Sequence, residues 1–226
     1  MSGPKIMPGA QEDLDYFFDI PLCRDQFIHP DAVAVSRIDE GQDGRGGAGK
    51  LFSETLNSPS AISHRIVLFH DPSSALTVNS ESKTRWLPLK TCSVFYALGD
   101  GVCGFGDICH GGVQATLLDD VIGVLGVFNA RVQHGMIPTK ATGRCSPKTN
   151  PGMLDLVENM IATQGIEVQY LRPLRVPKFI QITASLGEIS DGRASFVACA
   201  AIKDGNGKEY AKAKARWAVF RSKGKL

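Results

Sequence analysis

Between Gly111 and about Gln133 the chain reads GGVQATLLDDVIGVLGVFNARVQ, apolar on nearly every side and too long for a strand. Such a segment predicts a helix buried all round, because a surface helix shows only one apolar stripe. The rest of the chain must wrap it, and it supplies strands to do so. Ile62 to Phe69 and Lys90 to Leu98 are rich in β-branched and aromatic residues and are bounded by Pro72 and Gly99. Further on, period-two alternation runs through segments near 164 to 171, 178 to 189, 193 to 203 and 208 to 220. Asp191-Gly192 and Gly205-Asn206-Gly207 separate the last three, which predicts an antiparallel meander. In the final segment Ala211, Ala213, Ala215, Trp217 and Val219 share one face, and Lys212, Lys214 and Arg216 the other. One face is expected to be buried and the other wet. The expected fold class is α+β, an antiparallel β-sheet wrapped around a long central helix.

Residues 1 to about 60 lack sustained periodicity, and Gly41 to Gly49 has the composition of a flexible connection. Residues 1–61 therefore read as an irregular N-terminal extension and linker ahead of a main domain over 62–226. Gly44 to Gly49 satisfies GxGxxG, but without a flanking strand and helix it reads as linker. The polar stretch 134 to 151 reads as a loop, and the insertion to residue 160 is long enough to form a lid over a bound chain. Pro151 suits the first position of a short helix ending near Met160.

Lys and Arg total 25 against 23 Asp and Glu, a net charge of +2, which argues against nonspecific nucleic-acid binding. No apolar run approaches the roughly 20 residues of a membrane span, and Glu12, Asp13 and Asp15 stand where a signal or transit peptide would be basic and apolar. The six cysteines show no CxxC pair and read as reduced thiols. A cytoplasmic protein with no membrane and no nucleic-acid partner is expected. The terminal Gly224-Lys225-Leu226 differs from a peroxisomal Ser-Lys-Leu address at its small-residue position. The five histidines show no ligand spacing with cysteines or carboxylates, so no metal and no cofactor is expected.

Asp119 and Asp120 lie midway along the apolar helix, and an unpaired buried charge is too costly to keep by accident. Either they are satisfied structurally, or one is a general base or nucleophile tuned by partial burial. Just upstream, His110-Gly111-Gly112 opens the helix. Two glycines weaken a helix start. They fit a tight strand-to-helix turn, or a ligand approaching the free N–H groups at the positive end of the helix dipole. Cys109 beside His110 is a poor dyad, because neighbours in an extended segment point to opposite faces.

The string His110-Gly-Gly-Val-Gln-Ala-Thr-Leu-Leu-Asp119, followed by Tyr170-Leu-Arg-Pro173 and a closing meander, resembles the hotdog-fold acyl-CoA thioesterases of the phenylacetate-degradation (PaaI-like) type. The likeness runs in order from about residue 62 to 226, and Lys50 to Pro59 resembles fungal members. The resemblance implies that Asp119 is the catalytic carboxylate and that Gly111 and Gly112 present N–H groups to the thioester carbonyl. It implies that Thr163 orients water or the carboxylate, that His110 holds the helix entrance and can touch the thioester, and that Asp120 supports the site from behind. Tyr170 and Arg172, in the family's Tyr-x-Arg-Pro segment, would serve the substrate, Arg172 as a phosphate ligand or as a tie for the strand end. Where fungal relatives carry Leu-Asn-Gly-His-Pro-Gly this chain has Val102-Cys-Gly-Phe-Gly-Asp107, so a possible Asn carbonyl donor is missing.

Gly112 and Asp119 are seven residues apart, about 10 Å along a helix axis, too far to act on one carbonyl carbon about 3 Å from each. A two-fold homodimer with shared sites is therefore expected, and the resemblance allows a dimer of dimers. The last 24 residues carry eight basic and two acidic side chains. They form either a face for the phosphates of coenzyme A or of a phosphopantetheine carrier, or a solvated strand face that discourages edge pairing. Thioester hydrolysis on acyl-CoA or a carrier-bound acyl or polyketide chain is the first expectation. A noncatalytic acyl-CoA-binding hotdog protein and a hotdog dehydratase are the alternatives.

Overall fold

The computed structural model describes residues 5–6, 9–36, 49–73, 85–137, 140, 145–150, 152–190 and 195–221 of the chain. The Gly-rich stretch over 41–48, Pro151, the Asp191-Gly192 turn and the last three residues lie outside the described residues.

The apolar segment forms one helix, α3 (Gly111–Gln133). Leu117, Leu118, Val121, Ile122, Leu125 and Phe128 on it are wholly buried. Around it curves an 8-stranded sheet. Its strands are β1 (Lys5–Ile6), β2 (Ala32–Ser36), β3 (Ile62–His70), β4 (Thr91–Leu98), β7 (Asn159–Tyr170), β8 (Lys178–Ser190), β9 (Ser195–Lys203) and β10 (Glu209–Arg221). The order across the sheet is β1-β2-β3-β4-β8-β9-β10-β7, antiparallel except between β1 and β2. A small hairpin of β5 (Cys103–Phe105) and β6 (Ile108–Cys109) leads into the helix. This is the hotdog arrangement. The meander β8-β9-β10 and the two-faced β10 follow the alternation of their sequences: Ala211, Ala213, Ala215, Trp217 and Val219 are buried against α3, while Lys212, Lys214 and Arg216 are exposed.

By length and composition α3 is apolar enough to cross a membrane, contrary to the expectation that no run here reaches that length. More than half of its apolar stretch is instead buried inside the fold.

The segment expected to be an irregular extension is structured. It carries α1 (Gln11–Phe18) and α2 (Pro21–Phe27, with proline at its first turn), and β2 joins the sheet beside β3. Leu14, Phe17, Cys23 and Phe27 of these helices pack with Ile66, Leu68, Phe95 and Ala97 into a second core on the sheet's outer face. Phe95 takes ring contacts from Phe17 at 5.9 Å and Phe27 at 5.2 Å. The sequence pattern does not reveal these helices because 8 and 7 residues give barely two turns of periodicity.

The short helix expected from Pro151 to Met160 does not form. Gln133 donates to the Leu154 carbonyl and accepts from the Leu156 N–H, while Asp155 Oδ1 accepts from the Val157 and Glu158 N–H groups. These side chains occupy backbone groups that a helix would have paired, and Leu154 and Leu156 are buried. The described part of the insertion therefore packs beside the C-terminal end of α3.

If the outer layer belongs to the cooperative unit, Phe17→Ala is expected to lower the unfolding free energy by about 3–5 kcal/mol, the usual cost of emptying a buried phenylalanine site. Urea denaturation measures it, and a loss below about 1 kcal/mol would mean that the layer unfolds on its own.

Candidate active site

Consecutive helix residues point about 100° apart, so Asp119 and Asp120 reach different walls. Asp120 turns to the sheet, where it accepts hydrogen bonds from Arg65 at 2.7 Å and the Tyr96 hydroxyl at 2.9 Å. Arg65 is buried, and its guanidinium lies over the Phe52 and Tyr96 rings. Burial works against its charge, but Asp120 and Tyr96 outweigh burial and hold it above its ordinary value. Asp120 is thus one member of a largely buried ion pair on the side of the helix away from Asp119.

Asp119 faces the edge strand β7, where the Thr163 hydroxyl donates to its Oδ1 at 2.9 Å. Burial raises its pKa above the ordinary carboxylate value; the Thr163 bond opposes the rise and the neighbouring Asp120 charge adds to it.

An irregularity in the β7–β10 pairing aims Thr163. Gly165 stands opposite Arg216, yet Thr163 stands opposite Trp217, so Gln164 is an extra residue in β7. Side chains alternate along a strand, and a one-residue slip turns every later side chain to the other face. Tyr170, Val168 and Ile166 stand opposite Ala211, Ala213 and Ala215, on the helix side. Strict alternation would send Gln164 inward and Thr163 outward. The bulge reverses them, and Gly165, a glycine inside a strand, is the sequence signal for it.

The start of α3 is held from two sides. The His110 Nδ1 accepts the Gly112 N–H at 3.0 Å, an N-cap made by an imidazole. An accepting Nδ1 is unprotonated, which leaves the ring proton of the neutral form on Nε2. A Cβ on Gly112 would stand 3.0 Å from that nitrogen, so any larger residue here would have to displace the imidazole. The Gly112 N–H is therefore engaged, whereas that of Gly111 has no partner among the described residues. The Tyr170 hydroxyl donates to the Gly111 carbonyl at 2.8 Å and ties the helix start to β7. Gly111, Gly112, His110 and Tyr170 thus meet at one end of the helix, and Asp119 and Thr163 two turns further on.

Arg172 donates to the Glu209 carbonyl and ties the end of β7 to β10. The row Lys212, Lys214 and Arg216 lies on the outer face, beside hollows of about 1090 Å³ and 410 Å³ on the opposite side of the sheet from Asp119. The Cys109 thiol is pushed up to about 12 by burial and rests against the His110 carbonyl, not the ring. Among the described residues no three His, Cys, Asp or Glu side chains stand together as a metal site.

No family model matches the chain. Over 218 residues, 96% of this chain and 92% of the other, the sequence is 51% identical to the Verlamelin biosynthesis protein B of a Lecanicillium species. Among solved structures it is similar to a thioesterase of Haemophilus influenzae, with TM-score 0.42 and 15% identity over 58% of this chain and 73% of that one. It is also similar to a hypothetical thioesterase of Streptococcus pneumoniae with coenzyme A, with TM-score 0.41 and 17% identity over 62% and 86% of the two chains. At these scores neither activity nor ligand transfers from them.

The raised Asp119 pKa has a consequence for stability. A carboxyl that ionises less readily in the folded chain contributes stability below the ordinary carboxylate range and loses it as pH rises through the folded value. The uncharged Asp119→Asn variant is therefore expected to be more stable than the native chain at about pH 7 and not at about pH 3. Urea denaturation at both values checks this; a less stable variant at neutral pH would contradict it.

Proposed function

The chain belongs to one family with the Lecanicillium Verlamelin biosynthesis protein B and has the hotdog fold, and from that premise we propose that it hydrolyses the thioester of an acyl chain carried by coenzyme A or a carrier protein. The observation that carries the reading is the Thr163–Asp119 pair: a carboxylate on an otherwise apolar helix, made more basic by burial and oriented by a hydroxyl from the edge strand. A base with a raised pKa removes a proton more readily. Asp119 takes a proton from a water held beside Thr163, the water oxygen bonds to the thioester carbon, and the C–S bond then breaks. The departing thiolate recovers the proton from Asp119, and carboxylic acid and thiol are the products. The Gly111 N–H, at the positive end of the helix, faces the developing oxyanion, an interaction worth about 3 to 4 kcal/mol for a single well-placed donor. The relative's name places that protein in biosynthesis, which favours an acyl intermediate of a biosynthetic route as the substrate.

One chain does not bring Gly111 and Asp119 to one carbonyl. They are eight residues apart on the helix, about 12 Å along its axis. Strand β7 ends the sheet with Ile166 and Tyr170 of its inner face exposed. Two copies joined along β7 would set the helix start of each against the Asp119 of the other. Light scattering on the eluting protein is expected to show a dimer or a dimer of dimers; a monomer that retains activity would overturn the shared site.

The engagement of Gly112 by His110, with the missing Asn between Val102 and Asp107, favours one second reading, a noncatalytic acyl-CoA-binding protein. Thiol release from short, medium, long and aryl acyl-CoAs separates the two. Hydrolysis is expected, with a fall of at least about a hundredfold in Asp119→Ala, the lower size of general-base effects. Silence of the native chain on every substrate, with measurable binding, would establish the second reading.

A further inference from the structure

The hairpin ahead of α3 carries two cysteines that hydrolysis does not use. Cys103 in β5 and Cys109 in β6 are direct partners across the ladder. The next pair is the hydrogen-bonded one, since the His110 N–H donates to the Val102 carbonyl at 2.9 Å. The cysteines therefore occupy a non-hydrogen-bonded position, where opposed side chains leave on one face and Cα atoms stand about 4.5 Å apart. That lies inside the span of roughly 4.4–6.8 Å that a disulfide bridges. Both are free thiols, Cys109 buried and Cys103 partly exposed. They are close enough for Cys103 to add to the effect of burial in resisting ionisation of Cys109.

We propose that Cys103 and Cys109 are a reversible thiol–disulfide exchange site whose co-substrate is a small disulfide of the glutathione type. Exposure gives the order of events. Cys103 gives up its proton and its sulfur attacks one sulfur of the small disulfide, forming a mixed disulfide while the expelled glutathione sulfur takes up that proton. Cys109 then attacks the Cys103 sulfur as its own proton passes to the second glutathione sulfur, which leaves as a thiol. The protein gives up two electrons and two protons, and the oxidant becomes two thiols.

The position gives the bond a structural consequence. The Cys109 sulfur now rests 3.8 Å from the His110 carbonyl oxygen, which also accepts the Gln114 N–H, the first bond of the helix. A Cβ on Gly104, next to Cys103, would lie 3.0 Å from the His110 ring. Drawing Cys109 onto Cys103 takes the thiol off that carbonyl and tightens the hairpin against the imidazole that caps α3.

Mass spectrometry of the native chain, equilibrated in mixtures of reduced and oxidised glutathione, alkylated and digested, tests the proposal without an activity assay. Its outcome is thereby separate from that of the thioester reading. The expected result is a loss of two hydrogens carried by a linked Cys103–Cys109 peptide, reversed by excess dithiothreitol. Cys109→Ser, checked for native circular dichroism, should retain glutathione on Cys103, and Cys103→Ser should leave Cys109 reduced. Absence of the linked peptide at every ratio, lasting glutathione on native Cys103, or a bridge to another cysteine would overturn it.

Discussion

Burial of one helix sets the terms for everything else in this fold. Helix α3 is apolar on nearly all sides, so the sheet must curl far enough to cover it, and a carboxylate it carries must find a partner or reach an opening. The two adjacent carboxylates show both solutions. Asp120 meets a guanidinium and a phenol deep against the sheet, while Asp119 emerges beside the edge strand with a single hydroxyl. Partial burial lifts the pKa of the carboxyl at the rim. The same residue type twice in succession thus meets two environments because helix geometry separates their surroundings.

The outer layer extends this logic through the sheet. Asp13 of α1 accepts the Arg65 backbone N–H at 3.3 Å and lies 3.2 Å from His64 Nδ1. From that held backbone the Arg65 side chain reaches the opposite face and Asp120. Strand β3 therefore joins α1 on one side to α3 on the other through neighbouring atoms of one residue. The layer also divides the outer face in two. Over β3, β4 and part of β8 the face is apolar and covered, and over β9 and β10 it is small-sided and basic.

What was legible in the sequence follows the range of the interactions concerned. The long helix and the meander announce themselves through their hydrophobic patterning, and β3 and β4 through runs of β-branched and aromatic residues, each over 8 residues or more. Helices α1 and α2 do not, being short and stabilised by contacts with Phe95 and Ile66 far along the chain. Nothing local marks Arg65 as the partner of Asp120, 55 residues away. The pairing of Thr163 with Asp119 came from family resemblance, and the residues alone supplied only a carboxylate in search of a partner. The family resemblance set His110 at the helix entrance, but the residues alone do not mark it as a cap, because side-chain N-caps are ordinarily Ser, Thr, Asp or Asn. Its consequence, a Gly112 N–H already in use, is visible only in three dimensions.

Strand β7 carries two demands that a regular strand could not meet together. Its first half must keep Ile161 against Gly126 of the helix and Thr163 against Asp119; its second half must keep Val168 and Tyr170 facing the same helix. Over that length the helix surface does not repeat every two residues, since its own period is 3.6. One extra residue at Gln164 absorbs the mismatch, and a Cβ added to Gly165 beside it would meet nothing within 4 Å. A bulge also increases the local twist of an edge. In the proposed dimer the free side of this strand is the seam, so the irregularity that aims Thr163 also sets the angle at which a second chain can approach. Catalytic geometry and assembly geometry would then be fixed by the same residue.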